Sequence, residues 1–349
     1  MLRMQQLNNT IADTKTGSLF RVDLDFQSRP SAQLQVSLRP IFVGETGYVQ
    51  SDLLDNQVGR AELLFQEAAL HWRWSPYFSS SLGILSLEQW LSPLVGSPLG
   101  QTGLGIFYDS RTFQTSESKT PSHENNSSSL HFRLGAMTTV PNSFQQNYNA
   151  QERRESPRID IVSVQLFQAQ TPSFKWLLSS SYLQGFQLPE SMAEQGNFKG
   201  NTVAFAIDGR RTSFIYQYRL TETALDLSFI YSRFSLGAEL IYIRNFAAPS
   251  RLNQAWSWAP RIMVPLKGNE SLTFRYHLFY VEPDAVIASF NMPFIESNRY
   301  GQQVIVTYQL NQMYRLSFLF RERKALFRQP FQPHEISSLI QWEVDYEFL

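Results

Sequence analysis

The residues with the widest chemical use in this sequence are its histidines, which can act as general bases or metal ligands. There are five of them: His71, His123, His131, His277 and His334. None forms an HxxxH pair and cysteine is absent, so we predict no metal site. Glu67 and His71 share one face of a predicted strand, but four residues of strand rise separate them too far for a hydrogen bond. A hydrolase would need a serine or an aspartate beside His71 or His277.

The other motifs of common enzymes are also missing. The sequence contains no GxSxG, no P-loop and no GxGxxG, and Gly103-Leu104-Gly105 is a lone GxG without a phosphate-binding context. We therefore predict a protein that is not an enzyme and that holds no cofactor.

Composition and charge restrict the remaining classes. The chain has 349 residues, with 30 basic and 30 acidic side chains, and 14% of the residues are aromatic. A zero net charge disfavours nucleic acid as a partner, because phosphate binding needs a basic excess. No stretch approaches the ~18 continuous apolar residues of a membrane-spanning helix. The first ten residues lack the apolar core of a secretory signal, so an exported protein is expected to be represented here by its mature chain.

Apolar and polar side chains alternate along most of the sequence. The alternation is clear in 20–27, 32–39, 272–280 and 340–348. Because side chains on a strand point to opposite faces with a period of two, each segment has one apolar and one polar face. Several runs exceed ten residues, whereas the strands of soluble proteins are typically about five or six residues long. The pattern predicts an all-β fold.

Short turns mostly alternate with long polar connections along the chain. This order is typical of an up-and-down antiparallel barrel with short turns on one rim. We predict that 1–349 forms a single transmembrane β-barrel domain of about 16–18 strands. Either 1–9 adds a strand to give about 18, or 101–110 leaves the wall to give about 16. The segment 91–127 is predicted to fold into the lumen or to form a mobile loop.

The predicted lipid-facing surface is rich in aromatic residues, which favour the headgroup level of a membrane. Phe274 and Trp342 lie on apolar faces of this kind. Asp208-Gly209 predicts a tight hairpin over 203–219. Its second strand places four apolar residues on one predicted outer face, namely Phe214, Tyr216, Tyr218 and Leu220.

The polar faces would then line the lumen. The candidate pore-lining residues are Arg21, Asp23, Asp25, Arg39, Glu67, Arg73, Arg133, Arg219, Glu239, Arg275, Arg315, Arg321, Arg323, Glu343, Asp345 and Glu347. The stretch 273–323 is rich in arginine, while 21–25 and 341–347 are rich in acids. Two interpretations stay open: the charges are segregated and set up a field across the lumen, or they neutralise one another as cross-strand pairs.

The last strand resembles the C-terminal targeting signature of Gram-negative outer-membrane β-barrels of porin type. Tyr346 stands two positions before Phe348, and Trp342 and Val344 occupy the preceding apolar positions, although Leu349 extends the chain one residue beyond the signature. The resemblance implies that these four residues face lipid, that the barrel-assembly machinery inserts the chain, and that it resides in the outer membrane of a Gram-negative bacterium.

Two functions are compatible with these features, and a membrane-embedded hydrolase that depends on His71 or His277 is a third, less favoured hypothesis. The first is a porin-like channel for the passive diffusion of small hydrophilic solutes. The second is a structural barrel with an occluded lumen that docks a larger envelope assembly, for which apolar residues in 283–296 and 326–333 would serve as contacts. The partners expected are outer-membrane lipid and either further copies of the chain or an envelope protein. The sequence favours the channel.

Overall fold

The computed structural model describes most of the chain, with gaps in the connections. The described residues are 2–9, 15–47, 61–87, 90–92, 94, 100–111, 127–138, 158–171, 173–188, 192–193, 196–197, 199–205, 212–231, 233–287, 295–311, 313–328, 332 and 334–344. In this part of the chain, no helix has the length and the apolar character needed to cross a membrane.

The described residues form strands of up to 14 residues, as the long alternating runs predict. The strands are β1 (Leu2–Asn9), β2 (Lys15–Asp23), β3 (Phe26–Ser28), β4 (Leu34–Gly47), β5 (Ala61–Arg73), β6 (Phe78–Ser86), β7 (Gly100–Arg111), β8 (Ser127–Thr138), β9 (Arg158–Thr171), β10 (Phe174–Phe186), β11 (Val203–Phe205), β12 (Thr212–Phe214), β13 (Arg219–Ile230), β14 (Ser235–Asn245), β15 (Gln254–Pro265), β16 (Ser271–Val281), β17 (Arg299–Gln309), β18 (Tyr314–Ala325) and β19 (Glu335–Val344).

The strand pairings return to their starting point. Strand β1 pairs antiparallel with β2 on one side and with β19 on the other, and every other wall strand pairs with its neighbours in chain order. Strands β2 and β3 pair in succession with β4 and share one position in the wall. Counted over the described residues, the ring has 16 wall positions. The predicted all-β, antiparallel, up-and-down barrel is confirmed.

The ring reaches 16 wall positions in a different way from the one predicted from the sequence. Both β1 and β7 lie in the wall, so the expectation that 101–110 leaves the wall was wrong. The predicted hairpin does form, between β11 and β12, but it makes a separate two-stranded sheet outside the ring. The Asp-Gly turn itself lies outside the described residues.

One face of the wall exposes large apolar side chains at every second position. On the last two strands, Phe318 is 48% exposed, Ile340 56% and Trp342 50%, while the intervening residues point to the other side of the sheet. Phe274 is exposed in the same way on β16. A continuous apolar band of this kind needs lipid around it, because exposing it to water is unfavourable.

The two rims differ in the length of their connections. Short turns such as 74–77, 266–270 and 310–313 lie on one rim, the short-turn rim. Long connections such as 187–218 and 282–298 lie on the opposite rim, the long-connection rim. The polar segment 111–127 joins β7 to β8 at the short-turn rim, and its residues 112–126 lie outside the described part of the chain.

Candidate functional site

The inner face of the wall is assigned by the register, because residues directly opposite on neighbouring strands share a face. By this criterion most of the candidate pore-lining residues lie on the face opposite to the exposed apolar band: Arg21, Asp23, Arg39, Glu67, Arg73, Arg133, Glu239, Arg275, Arg315, Arg321, Arg323 and Glu343. Asp25 lies in the break between β2 and β3, 3.2 Å from Arg39. Asp345, Glu347, Tyr346 and Phe348 lie outside the described residues.

The prediction was wrong for Arg219 and its apolar neighbours. Arg219 stands opposite Gln184 and points outward, whereas Leu220 stands opposite Leu183 on the inner face and is buried. Tyr218 has no exposed surface, and the ring of Phe214 packs edge-on against it at 5.1 Å. The alternation itself continues through 213–220, since Ile215 and Arg219 are exposed while Tyr218 and Leu220 are buried. The error lies in the assignment of the apolar face to lipid, because that face packs against the core inside the ring.

The described residues of the C-terminal signature differ in exposure. Trp342 and Val344 share the outward face by alternation, and Trp342 is half exposed. Val344 is only 8% exposed, at the end of β19 in register with Leu2 on one side and Tyr314 on the other.

Charges on the inner wall are paired between strands. Arg315 lies 3.0 Å from Glu343 and Arg275 lies 2.7 Å from Glu239. Arg39 also approaches Glu67, at 3.6 Å. The basic stretch and the acidic last strand therefore face and neutralise each other, which favours the paired interpretation over segregated charge.

A further pair, like Arg275 and Glu239, spans three strands. Arg261 on β15 reaches across β14 to Asp226 on β13, with Nη2 2.8 Å from the carboxylate. Gly237 is the residue of β14 that stands opposite Arg261. A Cβ at Gly237 would lie 2.6 Å from Nε of Arg261, so the missing side chain leaves the space in which the arginine lies flat against the wall.

We expect Gly237→Ala to destabilise the barrel by about 1–2 kcal/mol, because the added methyl group must displace the Arg261 side chain. Gly44→Ala is the matched control, since nothing lies within 4 Å of a Cβ at that position of β4. Alanine there is expected to be neutral or to stabilise by about 0.5 kcal/mol, because glycine in a strand carries an entropic cost. Urea unfolding of both variants in detergent, followed by tryptophan fluorescence, measures the difference; equal effects would contradict this role of Gly237.

His71 belongs to a hydrogen-bonded chain on the inner wall. Its Nε2 lies 2.6 Å from Glu67 Oε1, and its Nδ1 lies 2.6 Å from the hydroxyl of Ser81. The expectation that Glu67 and His71 are too far apart was wrong, because it counted the backbone rise and neglected the reach of two long side chains. Ser81 and Glu67 are buried, so the chain of hydrogen bonds fixes His71 in the wall.

The described residues of the connection after β6 fold into the lumen. Trp90 is 1% exposed, and its ring packs against Phe107 with centroids 5.3 Å apart. The ring also fills the space left by two wall glycines, because a Cβ at Gly105 would lie 2.9 Å from it and one at Gly135 would lie 3.3 Å from it. The described residues 90–92 and 94 thus lie inward. Residues 100–111, however, form β7 in the wall, so the prediction that 91–127 folds inward or is mobile was wrong for that part of the segment.

A buried carboxylate ties this connection to strand β13, five wall positions along the ring from β6. Glu222, on the inner face of β13, accepts a hydrogen bond from the backbone N–H of Ser92 at 2.8 Å and another from its hydroxyl at 2.6 Å. The carbonyl of Trp90 accepts a further hydrogen bond from Ser181 on β10, at 2.7 Å. These contacts join residues more than 90 positions apart and cross the interior from β6 toward β10 and β13.

The described residues of two further connections, 187–218 and 282–298, pack against each other inside the long-connection rim. Asn201 is buried, and its side-chain nitrogen lies within hydrogen-bonding distance of the carbonyls of Pro283 and Val286, at 2.5 and 2.8 Å. Gly200 has φ +100°, and the position of a Cβ there is filled by the carbonyl of Ser297. The two backbones therefore meet so closely that a side chain has no room between them.

Asp284 lies at the centre of this contact. Its carboxylate accepts a hydrogen bond from the backbone N–H of Thr202 at 2.9 Å and lies 3.4 Å from the hydroxyl of Tyr218. Burial raises the pKa of Asp284 to about 6, and these hydrogen bonds offset part of the rise. Among the described residues, its Oδ2 has no hydrogen-bond partner, which agrees with burial as the dominant effect.

Ion pairs anchor the connection 282–298 to the wall. Glu296 lies 3.3 Å from both Arg299 on β17 and Arg323 on β18. Glu335 on β19 contacts the same two guanidinium groups. Both arginines are buried, so this four-residue network closes the seam between the connection and three adjacent strands.

The apolar residues of the three connections complete a core inside the ring. Trp90, Leu94, Val286 and Ile295 are buried together with inward-facing residues of strands from β6 to β16, such as Ile161. Under the docking alternative, the apolar residues of 283–296 would contact a partner, but the described Ala285, Val286 and Ile287 are buried within the chain. No local pattern distinguishes an inward from an outward connection; the excess of apolar residues was the available signal.

Comparison with known proteins identifies the fold. No family model and no curated protein matches the chain. Among solved structures, OprB of Pseudomonas putida is similar with a TM-score of 0.61 and 7% identity, over 98% of this chain and 92% of that one. OmpF of Salmonella typhi gives 0.50 and 10% identity, over 99% and 96%. OmpT of Vibrio cholerae, an outer-membrane protein solved in a trimer form, gives 0.51 and 10% identity, over 98% and 96%.

At such low identities, the comparison shows the fold, which is that of a porin-type outer-membrane β-barrel. This fold and the apolar outer band agree in placing the chain in the outer membrane of a Gram-negative bacterium, as the resemblance of the last strand implies.

Proposed function

We propose that the protein is an outer-membrane channel for the passive diffusion of small hydrophilic solutes. The observation that carries the proposal is the closed 16-position ring whose inner wall holds charged residues in contact with solvent. The side chains of Arg39 and Arg315 are 35% and 40% exposed on that inner wall. A barrel of this size encloses a water-filled lumen unless chain segments fill it.

The three inward connections make this lumen narrow. They fill the part of the interior next to strands β6–β16 at the long-connection rim and leave the charged wall near the short-turn rim solvated. A passage of this kind admits small solutes and excludes larger ones by size. Because acidic and basic groups are paired along it, we expect only a weak preference between cations and anions.

Reconstitution into planar lipid bilayers tests the proposal. Purified barrel should give stepwise conductance, with a permeability ratio of potassium to chloride close to one. A correctly folded barrel that produces no steps, verified by its heat-dependent mobility on a gel, would overturn the channel function.

The association of several copies of the chain is independent of whether each barrel conducts. Since OmpT of Vibrio cholerae was solved in a trimer form, we also propose that copies of this chain associate in the membrane. Insertion by the barrel-assembly machinery and contact with an envelope protein stay predictions from the sequence.

A further inference from the structure

Basic residues on the outer face of the wall are confined to one rim. Among the described strand residues, four lysines or arginines point outward by register, namely Arg158, Arg219, Arg244 and Lys324. Each is the first residue of its strand or the second from last, at the long-connection rim. The outward positions near the short-turn rim carry aromatic and aliphatic residues such as Trp72, Phe229 and Leu272.

Three of these residues form one patch on neighbouring strands. Gln184 on β10 stands opposite Arg219 on β13, and Thr221, two residues along, stands opposite Arg244 on β14. Arg158 lies on β9, on the other side of β10. With strands about 4.8 Å apart, the guanidinium groups of these side chains can all reach one lipid headgroup.

The patch has an excess of positive charge. The side chain of Arg158 is 63% exposed and is paired with Asp160 at 2.7 Å. Arg219 contacts the amide oxygen of Gln217 at 3.3 Å, and Arg244 lies over the ring of Phe246 at 5.3 Å. No described carboxylate lies within 4 Å of Arg219 or Arg244, and both side chains are exposed. Two guanidinium groups therefore face the membrane without a counter-charge from the described chain.

Such groups are costly in hydrocarbon but are accommodated at the headgroup level. A guanidinium binds a phosphate through two parallel hydrogen bonds, and two neighbouring guanidinium groups match a headgroup that carries two phosphates. We propose that Arg219 and Arg244, supported by Arg158, bind the two phosphates of lipid A in the outer leaflet. The proposal also places the long-connection rim at the cell surface, and it does not depend on whether the lumen conducts.

The double substitution Arg219→Gln and Arg244→Gln tests this site. The matched control is Arg233→Gln with Lys267→Gln, which removes the same charge from exposed turns at the short-turn rim. Native mass spectrometry of the detergent-solubilised full chain, titrated with diphosphoryl lipid A, measures binding. Since each arginine is expected to contribute about fivefold to the affinity, we expect roughly a twenty-five-fold loss in the double variant and no loss in the control.

Two comparison lipids identify the source of the phosphate. Monophosphoryl lipid A should bind more weakly than the diphosphoryl form, and phosphatidylglycerol should bind weakly and respond little to the substitutions. Equal binding of diphosphoryl lipid A to the double variant and the control would overturn the proposal. Equal affinity and equal sensitivity for phosphatidylglycerol would also overturn it, because the patch would then be a general anionic surface. If the double variant does not fold, each single variant should still show its own loss of about fivefold.

Discussion

Substitution of Asn201 by alanine is expected to raise the conductance of the barrel several-fold. The side-chain amide of Asn201 contacts the carbonyls of Pro283 and Val286 and the hydroxyl of Ser297, so it joins the connections 187–218 and 282–298. Alanine leaves buried carbonyl groups without this donor, at about 1–3 kcal/mol for each unsatisfied group. A loss of packing free energy of this size should separate the two connections from each other. The lumen is then expected to widen.

Single-channel recording in planar bilayers measures this effect. The matched control is Asn269→Ala, which removes the same side chain from an exposed turn at the short-turn rim and should leave the conductance unchanged. Limited proteolysis of intact cells or proteoliposomes supplies a second measurement, since released connections become cleavable. Unchanged conductance together with new cleavage sites would show that the packed connections do not narrow the passage.

The second large effect is expected for Trp90→Ala, which should lower the free energy of unfolding by about 3–5 kcal/mol. Trp90 is almost completely buried between Phe107 and the two glycines Gly105 and Gly135, so its removal leaves a cavity that the wall backbone cannot fill. Loss of the ring should also release Ser92 from its contact with Glu222, because Ser92 lies only two residues after Trp90.

Urea unfolding in detergent measures the change, with Trp74→Ala as the control. Trp74 is 62% exposed in a turn at the short-turn rim and is expected to contribute less than about 1 kcal/mol. A similar loss in both variants would mean that Trp90 is not packed in the wall as described.

The wall of the barrel could be predicted because its determinants are local. An alternating strand such as 314–321 fixes its own faces, since every second residue prefers lipid and the others do not. The same argument failed for 213–220, where Arg219 points outward and Leu220 inward. The period of two is kept there, but the apolar face packs against the core inside the ring instead of lipid, and local alternation does not distinguish these two environments.

The narrowing of the lumen could not be predicted, because its contacts join residues that are far apart in sequence. Asn201 meets carbonyls more than 80 residues away, and Ser92 meets Glu222 at a separation of 130 residues. Gly105 looked like part of a weak glycine motif, and only the position of Trp90 shows that it provides space for a ring.

The charges of the inner wall could be predicted in part. Alternation correctly assigned residues such as Arg275 and Glu343 to the inner face. Their partners depend on the strand register, which the sequence does not specify. The register brings Arg315 opposite Glu343 and thereby decides between paired and segregated charge.

The central claim is that lipid surrounds the apolar face of a closed barrel, and cysteine labelling along β18 tests it most directly. The chain contains no cysteine, so single substitutions from Leu316 to Arg321 each report one position. A nitroxide spin label is attached to each cysteine in detergent, and the protein is then placed in proteoliposomes, where dissolved oxygen concentrates in the lipid. Collision with oxygen should be frequent at positions 316, 318 and 320 and rare at 317, 319 and 321. Oxygen accessibility without alternation, or with the opposite alternation, would contradict the account.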